Sequence, residues 1–195
     1  MTQPGWTVSL PSVTLVCIDC VNPPLAAMAL DWSRRGIQFG AVKLLSHVRP
    51  DNLPAGCQWV PIPPLDLDGY NAFCLCDLWR HVDTEHALTI QTDGYVLRPE
   101  CWDHDWLQYD YIGAPWRTEF AWASLSRVGN SGFCLRSRRL LRATAEQFTP
   151  AREEAFRSLH GRVIDDVATC QFLYPELAAA GYRFAPSPVA IRFSY

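Results

Sequence analysis

No apolar run in the chain reaches the roughly 18 residues that a membrane helix needs. The opening stretch, MTQPGWTVSL, also lacks the basic segment and apolar block of a secretion signal. These absences predict a cytoplasmic protein without a transmembrane segment. Positive charge is in short supply as well. Lys and Arg number 17 against 20 Asp and Glu, a net charge of −3. A surface that tracks phosphates needs clustered Lys and Arg, so nucleic acid is not an expected partner. The run Arg136, Arg138, Arg139 and Arg142 is a local exception. Zinc spacing is missing too: Cys17-x-x-Cys20 has no second CxxC or His pair behind it, and the histidines are scattered. Without a secretion signal, the 8 cysteines read as small buried residues and not as disulfides.

What is present is the composition of a folded domain. Hydrophobic residues make up 49% and charged residues 19% of 195, enough for one core in one domain, 1–195. Residues 13–20, VTLVCIDC, read as a strand buried on both faces. Asn22-Pro23-Pro24 breaks it. Leu25, Met28, Ala29 and Trp32 then fall at helical spacing up to Gly36. Phe39 to Leu45 is a second strand, so the chain opens strand–helix–strand, the pattern of a parallel crossover. A Pro- and Asp-rich stretch follows, with a short strand at 58–62. The pattern in 70–81 predicts a helix, and 106–112 a short strand. Beyond 133–135, another strand, the chain is mostly helical. The tail, YRFAPSPVAIRFSY, predicts two short strands around a Pro break.

The stretch LTIQTDG, 88–94, organises the rest. A buried strand runs straight into a Gly turn with Asp93 at its end, and open α/β sheets bind ligands beyond such strand ends. An aromatic segment follows, with Trp102, Trp106, Tyr109, Tyr111 and Trp116. Its faces suit stacking on bases or sugar rings, but from composition alone a packed layer over the sheet is the stronger reading. Asp165 and Asp166 open a later helix, where acids are favoured by the helix dipole; from the residues alone, capping is the stronger reading.

Several of these pieces together resemble the glycosyltransferase-like family catalogued as domain of unknown function 5672. The resemblance rests on LTIQTDG, on YDYIGAPW at 109–116, on VGNSGFCLRS at 128–137, on IDDV at 164–167 and on FAPSPVAIRFS at 184–194. YNAF at 70–73 and VKLLS at 42–46 add to it. It implies an α/β fold, a single GT-A-like domain with a mixed, mostly parallel sheet flanked by helices. It implies a nucleotide diphosphate sugar donor and a saccharide or other hydroxyl acceptor. By the same resemblance, Asp93 takes the metal- and donor-binding position, for Mn²⁺ or Mg²⁺, and Asp19 the place that meets the nucleotide. Gly129, Asn130 and Gly132 take the Gly-rich donor segment, and Asp166, preceded by Asp165, the catalytic base. Asp110, Tyr111 and Trp116 fall where a sugar or acceptor pocket would be shaped, with core packing as their rival role. Arg136 or Arg138 would steady the departing diphosphate if no metal did. Two departures stand out. The Asp-x-Asp metal motif is Gln91-Thr92-Asp93 here, and the acid pair is Asp-Asp where Glu-Asp is common. The first departure leaves open a non-catalytic nucleotide- or sugar-binding module in glycan assembly.

Overall fold

The computed structural model describes residues 8–117 and 125–194. The first seven residues of the opening stretch lie outside them. Six strands form one sheet in the order β3-β2-β1-β4-β6-β5. They are β1 (Val8–Ile18), β2 (Ile37–Ser46), β3 (Gln58–Pro61), β4 (His86–Ile90), β5 (Tyr111–Ile112) and β6 (Cys134–Ser137). The first four are parallel; β6 runs antiparallel to both β4 and β5. This is the mixed, mostly parallel sheet that the resemblance implies.

After β1 the chain moves outward through β2 and β3, and then returns to the other side of β1 with β4. The order therefore reverses between β1 and β4. In open α/β sheets that reversal leaves a crevice beyond the strand ends. Cys17 pairs with Ile90 across it, which puts Asp19 and the turn after Ile90 at one rim.

Both sheet faces are covered. One core holds Leu15, Cys17, Leu88, Ile90, Ile112 and Leu135, packed under α1 (Pro23–Ser33) and α7 (Ser187–Phe193). The other holds Val16, Ile18, Ala87 and Leu141, and lies under α2 (Leu67–Cys76) and α3 (Arg138–Gln147). Between α3 and α7 come α4 (Pro150–His160), α5 (Asp165–Val167), a π turn and α6 (Tyr174–Ala179).

Two expectations are corrected. The predicted inner face of α1 is its outer face: Leu25, Met28 and Trp32 are exposed, while Ala26, Ala27, Ala29 and Leu30 pack on the sheet. Small residues let the helix approach the strands closely, and that outweighs the larger side chains. The tail is not two strands. Phe184 makes a single bridge to Tyr111, and Ser187–Phe193 is helical. Pro188 sits in its first turn, where a missing N–H costs nothing.

Candidate active site

The rim at the ends of β1 and β4 carries a cavity of about 370 Å³. Asp19, Asp66, Tyr70, Gln91 and Asp93 are among its lining residues, which include no Lys or Arg. Asp19 Oδ1 accepts the N–H groups of Val21 and Asn22, each at 2.7 Å, and so fixes the turn out of β1. The turn 91–94 is closed by two backbone bonds between Gln91 and Gly94, at 2.9 and 3.3 Å. Its Gln91 side chain is tied back to α2, Nε2 donating to the Tyr70 hydroxyl at 3.0 Å. Asp93 is exposed at the tip of this turn.

Because β6 is antiparallel, the loop leading into it reaches the same rim. The loop is packed too tightly for side chains at two points. A Cβ on Gly129 would lie 1.9 Å from the Trp116 indole, and one on Gly113 would lie 1.9 Å from the Gly129 carbonyl. Gly132 abuts the turn of Asp93, its carbonyl 3.1 Å from where a Gly94 Cβ would stand. Asn130 adopts φ 53°, among described residues the sole non-glycine in the left-handed region. Asn tolerates it better than most residues. The bend turns two consecutive N–H groups, of Asn130 and Ser131, onto the carboxylate of Asp166.

Asp166 also accepts the Val167 N–H at 2.8 Å. Burial and the neighbouring Asp165 nevertheless push its pKa up to about 6, against the pull of those three N–H groups. Desolvation and like charge outweigh the hydrogen bonds. A carboxylate poised near neutrality is what a general base requires.

Its neighbour has a different environment. Asp165 is buried, accepting from Ser131 Oγ at 2.7 Å and Arg136 Nη1 at 3.1 Å. Arg136, equally buried, also donates to Thr89 Oγ1 at 3.3 Å. Asp165 thus anchors α5 to the sheet, and its own N–H is taken by Asn71 Oδ1 of α2 at 3.0 Å. Neither acid caps the helix by a side chain in the usual way; Ile164 occupies that position.

Several candidates change place. Arg136 is spent on Asp165 and does not meet the donor cavity. Arg138 lies at the opposite rim. So does Asp110, which precedes β5: it accepts from Ser137, from Nε and Nη2 of Arg139 and from the Arg183 N–H. That saturated carboxylate shapes no pocket at the Asp93 rim. Tyr111 is fully buried in β5, stacked on Phe184 at 5.9 Å. Trp116 walls the loop at Gly129. Asn71, Ser131 and Thr89 complete the support of Asp165; their partners are distant in sequence, and no local pattern marks them.

Among the described residues no three His, Cys, Asp or Glu side chains come together as a metal site. Asp93 and Asp66 are the exposed carboxylates on the donor cavity, Asp66 already accepting the Gly69 N–H at 2.7 Å, and a hard cation at Asp93 would need phosphate oxygens to complete its shell.

A family model described as a protein of unknown function, DUF5672, matches residues 65–195, more than half of the chain. The chain belongs to the DUF5672 family. No curated protein matches it. Among solved structures, this DUF5672 member is similar to the apo form of the glycosyltransferase GlyE of Streptococcus pneumoniae TIGR4. The identity is 10%, over 91% of this chain and 46% of that one, with a TM-score of 0.50. A second GlyE structure is similar at 11% identity, 89% and 44% coverage and a TM-score of 0.46. The DUF5672 chain thus spans less than half the length of that enzyme, and the likeness is one of fold. No helix among the described residues is long and apolar enough to cross a membrane.

Proposed function

We propose that the chain is a glycosyltransferase, moving a sugar from a nucleotide diphosphate sugar to an acceptor hydroxyl. The observation that carries this reading is Asp166: the carboxylate of a half-buried residue, poised near pH 6 and held by N–H groups of the loop that leads into β6. The nucleotide occupies the cavity between Asp19 and Asp93. Asp166 takes the proton of the acceptor hydroxyl as its oxygen bonds to the anomeric carbon, and the bond from that carbon to the diphosphate breaks.

The diphosphate leaves with negative charge that something must offset. The donor cavity's described lining has carboxylates and no cationic side chain, and Arg136 is already committed. A Mn²⁺ or Mg²⁺ held by Asp93 and phosphate oxygens would supply that charge. A second reading, a nucleotide- or sugar-binding module without turnover, is favoured by the single carboxylate in Gln91-Thr92-Asp93.

The test is Asp166→Asn, assayed with a panel of nucleotide sugars and by calorimetry with nucleotide diphosphates. The transferase reading expects turnover to vanish while nucleotide binding persists. Binding without turnover in the unmodified protein, across the panel, would favour the module.

A further inference from the structure

A second cavity, of about 560 Å³, shares Asp93 and opens along the α1 and α7 face of the sheet. Its size is that of a small-ligand pocket. Its walls are aromatic, packed edge to face at Trp106 and tilted at Phe133. Trp102 meets Trp106 at 5.2 Å, Trp106 meets Phe193 at 5.1 Å, and Phe193 meets Phe133 at 5.1 Å. Such contacts hold the rings in fixed orientations and give the cavity a rigid floor.

The polar groups around this floor are few. The indole N–H groups of Trp102 and Trp106 are buried without an acceptor. Buried donors are normally paired, and those that are not call for an explanation. Asp93 and Arg98 stand at the edge, both exposed and, among the described residues, neither in an ion pair. Tyr95 and Leu97 extend apolar surface outward there, Leu97 being 72% exposed.

We infer that this aromatic cavity is a saccharide subsite for the acceptor, its mouth at Asp93 adjoining the donor cavity. A sugar ring has an apolar C–H face that suits an aromatic floor. It also carries hydroxyls that donate to a carboxylate and accept from a guanidinium N–H. A purely apolar ligand would leave Asp93 and Arg98 desolvated, and the nucleotide is already placed in the neighbouring cavity between Asp19 and Asp93. The position of the cavity beside the donor pocket makes the occupant an acceptor. This assignment rests on the transferase reading; saccharide binding itself does not.

The experiment is calorimetric titration of the whole chain with a panel of p-nitrophenyl glycosides and disaccharides. It is repeated for Tyr95→Ala and Arg98→Ala, whose exposed side chains make no contribution to the core. Each protein is also titrated with nucleotide diphosphates. The expected result is binding of at least one saccharide, weakened about tenfold or more by either variant, with nucleotide affinity unchanged. A protein that binds a nucleotide but no saccharide, or binds a saccharide indifferently to both substitutions, would overturn the subsite. Saccharide binding sensitive to both variants, without any nucleotide binding, would keep the subsite and overturn the donor reading instead.

Discussion

The two rims of the sheet hold similar residues in opposite conditions. At the rim where β4 begins lies the larger cavity, about 920 Å³, bordered by Asp83, Asp110, Arg138, Arg139 and Arg142. Most of its charge is committed. Asp83 pairs with Lys43 at 2.7 Å, Arg142 with Glu146 at 2.7 Å, and Asp110 with Arg139. Arg138 Nε donates to the Val82 carbonyl at 2.5 Å. At the rim where β4 ends the cavities are smaller. There Asp93 is exposed, and Asp166 accepts the backbone N–H groups of Asn130, Ser131 and Val167. Cavity size is therefore a poor guide in this fold. On the proposed reading, uncommitted charge on a rigid support is the better guide.

The largest expected effect separates the rims by activity. Asp166→Asn should lower transfer about a hundred- to ten-thousand-fold, the range for loss of a general base, in a turnover assay with the matching donor. Nucleotide affinity should stay the same.

Next come effects on stability. Arg136→Met leaves Asp165 charged and buried without its partner. It should cost about 3–5 kcal/mol in urea unfolding. Asp110→Ala, at the opposite rim, strips acceptors from Ser137 and the Arg183 N–H. It should cost about 1–3 kcal/mol yet leave nucleotide binding intact in calorimetry. A change in nucleotide affinity there would break the contrast between the rims.

A smaller effect concerns pH. The Asp166 pKa is raised in the folded state to about 6, so folding favours its protonated form. Its contribution is fully present below the unfolded value and is lost as pH rises through about 4 to 6. Asp166→Asn should remove that decline and stabilise the fold at pH 7 by about 1–3 kcal/mol, measured by urea unfolding at several pH values. Activity runs the other way, since the base must be ionised, and should rise with a midpoint near pH 6. A residue that costs stability where it works fits a functional role better than a structural one.

Much of this was legible in the sequence. The apolar runs of β1 and β4, the Asn-Pro-Pro break and the Gly turn at Asp93 each carry a local signal, and together they outline the sheet and its switch point. The support of the site was less visible. Ser131 and Asn71 meet Asp165 from 34 and 94 positions away, and spacing says nothing of such contacts. Arg136 looked like an exposed cation because it opens a basic run; its alternation with Cys134 in β6 turns it inward. Asp110 and Asp93 both flank short strands, but one precedes its strand and the other follows, so they fall at opposite rims. The tail is helical although Val189 and Ile191 are β-branched, a weak preference that packing of Phe193 on Trp106 overrides.

The most direct test of the donor site is calorimetric titration with nucleotide diphosphates, with and without Mn²⁺, on the unmodified chain and on Asp93→Asn. The account predicts that one nucleotide binds, that Mn²⁺ tightens it, and that the Mn²⁺ effect disappears in Asp93→Asn. Failure of every nucleotide to bind, or binding indifferent to both Mn²⁺ and Asp93, would contradict it.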